Sequence, residues 1–250
     1  MTPLPRLMVA PNGARLTPRD HPALPVTLDR ILADAAACHA AGADGLHLHL
    51  RDADGGHLLD AGAYREALTA LRGAVPALRV QITTEAAGRY DPAHQRRVAL
   101  DGGACAVSVS VREVTADGTD GIAAFYHECA ARGIAVQHIL YDRADADALS
   151  ALLPVMPATQ VLFVLGRHAP GQRADPADLT PFLDWMAGAD AVPDWAACAF
   201  GRAETACLVR AHAHGGKLRV GFENARHHAD GTVARSNADR VAAVRAAAGI

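Results

Sequence analysis

Apolar positions along the chain cluster into short runs rich in Val, Ile and Leu, separated by longer Ala-rich stretches. Eight runs have strand length: 6–12 (RLMVAPN), 45–52 (GLHLHLRD), 79–86 (RVQITTEA), 105–111 (CAVSVSV), 135–142 (AVQHILYD), 159–166 (TQVLFVLG), 195–201 (WAACAFG) and 218–224 (LRVGFEN). Each precedes a stretch that can be helical. The first helix is predicted from Thr27, a capping residue, to Ala41, with Gly42 placed to stop it. Asp91-Pro92 and Asp175-Pro176 each set a cap before a proline at the first helical position. Ser236 or Asn237 begins the last helix, which ends near Gly249.

Strand–helix alternation predicts a parallel sheet with right-handed crossovers. Eight repeats in 250 residues fit a closed (β/α)8 barrel, one domain over 1–250, better than an open doubly wound sheet. No Gly-x-Gly-x-x-Gly follows the first strand and no Walker-type phosphate loop occurs, so neither a dinucleotide site nor a nucleotide-triphosphate site has support. In a barrel the polar strand tips gather on the C-terminal face, so function is expected at PNGAR, HLHLRD, TTEAAG, SVSVRE, LYDR, LGRHAPG, AFGRAE and GFENARHH.

Half the residues are apolar and the net charge is −3 with no basic tract, which argues against a nucleic-acid partner. The five cysteines are widely spaced with no Cys-x-x-Cys, a pattern suited to reduced thiols in the cytoplasm. No signal peptide is read at the N-terminus, and no stretch approaches the ~20 apolar residues of a membrane span.

The second run carries two imidazoles, His47 and His49. Side chains two apart on a strand share a face, with α-carbons roughly 6–7 Å apart. Two rings so placed can converge on one divalent ion at ~2.0–2.1 Å per bond. The competing reading is a pair of hydrogen-bonded core histidines. Glu223, at the tip of the last strand, completes two imidazoles and a carboxylate, a set known from catalytic zinc sites. The same donors accept Mn²⁺, Ni²⁺ or Co²⁺.

The stretches APNGARLTPRDHPALPVT (10–27), AGADGLHLHLRDADG (41–55), VQITTEA (80–86), LFVLG (162–166), AFG (199–201) and GGKLRVGFENARHHADGTVARSNADRV (215–241) together resemble the β-keto acid cleavage enzymes, over nearly the whole chain and in order. The resemblance implies a (β/α)8 barrel, commonly tetrameric, with a catalytic zinc. It implies that a β-keto acid and acetyl-CoA yield acetoacetate and a new CoA ester. By position it assigns the metal to His47, His49 and Glu223, places Arg219 in the catalytic machinery beside it, and matches Thr83 to a substrate-binding hydroxyl. A Lewis acid suits this chemistry. A lysine Schiff base does not, because the only lysine, Lys217, stands at the start of the last strand, the wrong end of the barrel.

Three positions depart from the lysine-fermentation type, the 3-keto-5-aminohexanoate cleavage enzymes. Asn224 stands where that type has an aspartate base, and an amide cannot take a proton at neutral pH. Glu85 is the first alternative base, Asp52 the second and a metal-bound hydroxide the third. Asn224 can instead orient substrate or hydrogen-bond an oxyanion. Arg15 replaces a glutamate that binds the substrate's amino group, which predicts a β-keto acid without that group, with a second carboxylate as one option. His138 replaces a carboxylate. It is expected either in the pocket or as a core histidine. Ser108 and Ser110 are expected to line the pocket. Arg167 and Arg173 offer contacts to CoA phosphate. Two other readings of the same barrel are a CoA-independent metal aldolase or hydrolase, and a binding protein without turnover.

Overall fold

The computed structural model describes residues 2–152, 159–189 and 192–250. The eight apolar runs become eight parallel strands: β1 (Leu7–Val9), β2 (Gly45–Leu48), β5 (Arg79–Thr83), β6 (Ala106–Ser110), β7 (Ala135–Leu140), β8 (Gln160–Leu165), β9 (Asp194–Ala199) and β10 (Lys217–Val220). They pair in sequence order and β10 returns to β1, closing a (β/α)8 barrel. The register sets His47 beside Gln81, and Thr83 beside Ser108.

Helices α1 (Leu28–Ala40), α2 (Ala61–Ala74), α3 (Pro92–Asp101), α5 (Ile122–Ala131), α6 (Arg143–Leu152), α7 (Thr180–Ala187), α8 (Glu204–Ala213) and α9 (Asn237–Ala248) surround it, and α4 (Val111–Val114) is a single turn. The caps follow the sequence. Asp91 accepts from the His94 N–H, Ser236 from the Asp239 N–H, and Gly249 closes α9 with a left-handed residue. Thr27 sits at the α1 N-cap, but its side chain makes no capping bond. Asp175-Pro176 opens a short 3-10 turn (Pro176–Leu179) before α7.

One predicted strand is divided. The run 45–52 pairs in the barrel only to Leu48, and the chain then leaves as an antiparallel ribbon of β3 (Leu50–Arg51) and β4 (His57–Leu58). Arg51 holds the departure in place by donating to the carbonyls of Gly13, Leu16 and Gly55. His49 therefore stands at the lip of the barrel.

The main apolar core lies between strands and helices and includes Leu46, Leu48, Val107, Val161 and Phe163. Period-two alternation turns the other face of each strand inward. There Ile139, Leu162, Val164, Ala196 and Cys198 form a smaller apolar cluster, while His47, Gln81, Ser108, Gln137 and Arg219 are buried polar residues. Lys217 pairs with Asp194 at the opposite, N-terminal end.

Behind the last strand, Glu204 of α8 and Arg240 of α9 form an ion pair with neither side chain exposed. Arg240 also donates to Thr205 Oγ1, and Glu204 accepts from the Gly221 N–H. Arg240→Ala leaves a buried carboxylate without its partner. It is expected to cost about 3–5 kcal/mol, read as a lower urea midpoint, and the double variant Glu204→Leu/Arg240→Met should recover most of that loss.

Candidate active site

His47 is delivered by β2 and aimed by hydrogen bonds through the barrel. Its Nδ1–H donates to Gln81 Oε1 at 2.9 Å, Gln81 Nε2 donates to Gln137 Oε1 at 2.9 Å, and Gln137 Nε2 donates to the Val161 carbonyl at 3.2 Å. This fixes the tautomer and leaves the Nε2 lone pair facing the mouth. His49 Nε2 lies 3.1 Å from His47 Nε2. Glu223, on the turn after β10, brings Oε2 to 3.8 Å from His47 Nε2 and 3.5 Å from His49 Nε2. Arg219 Nη2 donates to the other oxygen, Glu223 Oε1, at 3.1 Å.

Burial pushes the His47 ring down to about 4, with Arg219 reinforcing the shift. Burial, then His47 and His57, push His49 well below its ordinary value. Burial works to raise Glu223, but Arg219, His47 and Arg167 hold it below the usual carboxylate value. At neutral pH the cluster thus offers two uncharged nitrogens and one ionised oxygen. Four-coordinate ligands at ~2.0–2.1 Å from a cation stand roughly 3.3–3.4 Å apart, which the three separations bracket. Glu223 Oε2 is buried with no hydrogen-bond partner, an unmet valence that a cation satisfies. Among the described residues this is the one cluster of three or more such side chains able to hold an ion.

Gly13 makes the cluster possible. Its φ is +59°, and a Cβ there would lie 2.7 Å from Glu223 Cγ, so a side chain at this position would drive the carboxylate away.

The profile of the β-keto acid cleavage enzymes matches residues 6–250. The chain belongs to this family. It is 26% identical to the 3-keto-5-aminohexanoate cleavage enzyme of Fusobacterium nucleatum subsp. nucleatum, over 92% of this chain and 85% of that one. It is 26% identical to the enzyme of the same name from Acetoanaerobium sticklandii, over 92% and 86%. The barrel also superposes on ObcA in binary complex with oxaloacetate, with a TM-score of 0.72 and 18% identity, over 90% of this chain and 63% of ObcA. For 3-dehydroquinate dehydratase from Enterococcus faecalis the values are 0.62 and 12%, over 99% and 94%. At these identities the two structures share the fold alone.

In this β-keto acid cleavage enzyme the His47–His49–Glu223 cluster opens into a cavity of about 190 Å³ that receives Thr83, Glu85, Ser110, Arg15, Asn224 and Arg219. Thr83 Oγ1 accepts from the Glu85 N–H at 3.0 Å. Ser110 Oγ and both side-chain polar atoms of Asn224 are buried without partners. Ser108 lies on the same strand face but one layer deeper, outside the lining. Arg15 and Glu85 face each other at 2.7 Å, so the arginine's charge is matched within the pocket.

Two candidates lie elsewhere. His138 is not brought to the cavity, because alternation on β7 turns Gln137 and Ile139 inward and His138 outward. Its Nδ1–H donates to the Gln160 carbonyl at 3.0 Å, its ring packs on Tyr126 of α5, and burial lowers it to about 4. Asp52 accepts from the Gly56 N–H at 2.6 Å and from Arg89 at 3.2 Å, in the loop of the β3–β4 ribbon.

Four residues of the site escaped the sequence reading. Gln81 and Gln137 aim His47, and their signal was an amide on the inward face of an apolar strand. His57, on β4, packs its ring 5.2 Å from that of His49. Glu113, on α4, lines the cavity. Its Oε2 accepts from the Ala86 N–H at 2.9 Å and Gln95 Nε2 at 3.0 Å. Burial, with Glu85 nearby, raises its carboxyl above the usual value.

Calorimetric titration with Zn²⁺ should give one equivalent per chain. Gln81→Leu is expected to weaken the metal roughly 10- to 100-fold, His49→Ala more strongly still, and Gly13→Ala should also weaken it by displacing Glu223. Unchanged affinity in all three variants would contradict this assignment.

Proposed function

We propose that the protein is a zinc-dependent acyltransferase that cleaves a β-keto acid with acetyl-CoA, giving acetoacetate and a new CoA ester. The observation that supports this most is the His47–His49–Glu223 cluster, with Arg219 against it, at the base of a small cavity. A bound zinc would supply a Lewis acid for the substrate's keto oxygen. The overall exchange balances: the acetyl group moves from sulfur to C2 of the β-keto acid, the C2–C3 bond breaks, and the released acyl group takes the sulfur. One proton leaves C2 and later returns to it.

Each pocket residue has work to do in that exchange. Arg219, held by Glu223, presents a fixed cation to the charge that develops on substrate oxygens. Thr83 and Ser110 supply hydroxyls to the substrate's carboxylate or keto group. Asn224 offers amide hydrogens to an oxyanion. Glu85, bound to Arg15, builds the wall. Glu113 is the carboxylate suited to take and return the proton: one oxygen is anchored, and the other has no hydrogen-bond partner among the described residues. Its upward shift brings it nearer the working range of a general base.

The Arg15–Glu85 pair leaves no free carboxylate for an ammonium at that wall, and Arg167 and Arg226 add guanidinium groups to the lining of the same cavity. Leu16, Ile139, Val164 and Phe200 supply apolar surface. The preferred substrate is accordingly a β-keto acid without an ammonium group, its tail neutral or acidic.

A panel of β-keto acids with acetyl-CoA should yield acetoacetate and a CoA ester in equal amounts, slowest with tails that carry an ammonium. Product without CoA would instead identify a metal aldolase or hydrolase, and zinc binding without any product would identify a binding protein. Turnover needs ionised Glu113, so kcat should fall as pH drops through its raised pKa. Glu113→Gln should lower kcat roughly 10²- to 10⁴-fold with zinc content unchanged, while Glu85→Gln should cost far less.

A further inference from the structure

The catalytic cavity of about 190 Å³ cannot hold a nucleotide, so an acyl-CoA must rest most of its length elsewhere. A second cavity of about 720 Å³ adjoins it, and Gln172, Asn224 and Arg226 line both. Its walls are the loops after β8, β9 and β10. Loops after the last barrel strands and a helix N-terminus recur as a phosphate site in this fold. The loops after β8 and β9 meet closely: a Cβ on Gly201 (φ +84°) would lie 2.7 Å from the Gln172 carbonyl oxygen.

The charge of this cleft is one-sided. Arg173, Arg202, Arg226 and His227 line it, with no acidic residue. Among the described residues, none of the three arginines belongs to an ion pair. Unpaired like charges around one concavity repel one another and attract a polyanion. Helix α8 begins at the same place, with Ala203 at its N-cap and no side-chain cap, though the Glu204 N–H already donates to the Gly201 carbonyl at 3.1 Å, so the arginines carry the charge of the cleft. Asn224, 6% exposed, has both amide atoms unpartnered at the junction of the two cavities.

We propose that this cleft binds the phosphate-bearing nucleotide end of the acyl-CoA, with Arg173 and Arg202 on its phosphates and the thioester arm passing Asn224 into the catalytic cavity. The assignment rests on the acetyl-CoA reading above. The shared ligand chemistry is a phosphate ester or pyrophosphate, and the choice of probes separates CoA from a free nucleotide or inorganic anion.

The test uses the full-length zinc-loaded enzyme and its Arg173→Gln/Arg202→Gln variant, with denaturation midpoints and zinc content measured for both. Calorimetry with CoA, S-acetylpantetheine, AMP and pyrophosphate gives the affinities. CoA should bind the variant roughly 10- to 100-fold more weakly, with S-acetylpantetheine, which lacks the nucleotide, changing less than about threefold. Equal CoA affinity in the two proteins overturns the cleft assignment while the CoA reading stands. AMP or pyrophosphate binding the wild type as tightly as CoA also overturns it, marking a general anion site. A wild type that binds no CoA, yet cleaves a β-keto acid without it, overturns both.

Discussion

The two-residue repeat of a β-strand, closed into a ring, is the constraint on which the site depends. Closure puts β2 and β10 on either side of β1, so His47 and Glu223 meet although most of the chain separates them. Alternation aims His47 and Arg219 inward, and the end of barrel pairing at Leu48 leaves His49 at the lip. Gly13, on the loop after β1, fits between because it has no side chain. None of these residues could do its part in an open sheet.

Burial sets the electrostatics of that meeting point. It keeps both rings uncharged, and Arg219 keeps Glu223 ionised despite burial. The result is a donor set complementary to a dication before any ion arrives. The Gln81–Gln137 relay holds one ring in a single tautomer, so little reorganisation is needed on binding. Outward from this centre the cavity changes from buried polar to apolar wall and then to the unpaired arginines of the rim, a gradient that suits a small acid inside and a long polyanion outside.

Much of this was legible in the sequence because strands announce themselves by period two and helices by their caps. The eight runs, the Asp91-Pro92 and Ser236 starts, and the convergence of His47, His49 and Glu223 all follow from local rules. The misses share a cause: local rules lose direction where the backbone changes period. Glu113 follows a strand but sits on a one-turn helix, so alternation from Ser108 and Ser110 could not aim it. The ribbon at 50–58 breaks a run that reads as continuous, and this brings His57 to His49 and carries Asp52 away. His138 was open between pocket and core, and the structure gives the core. Alternation should have turned it outward once Gln137 was recognised as an inward residue. Arg15 and Glu85 both line the cavity, but their pairing is a contact between two loops that no single-strand pattern contains.

The central claim is that one cation sits between His47, His49 and Glu223 at the barrel mouth. Its most direct test is anomalous scattering at the zinc edge from crystals of the protein grown or soaked with Zn²⁺. The account predicts a single strong peak per chain within bonding distance of His47 Nε2, His49 Nε2 and Glu223 Oε2. A peak elsewhere with this cluster left empty, or no peak at saturating zinc, would contradict it.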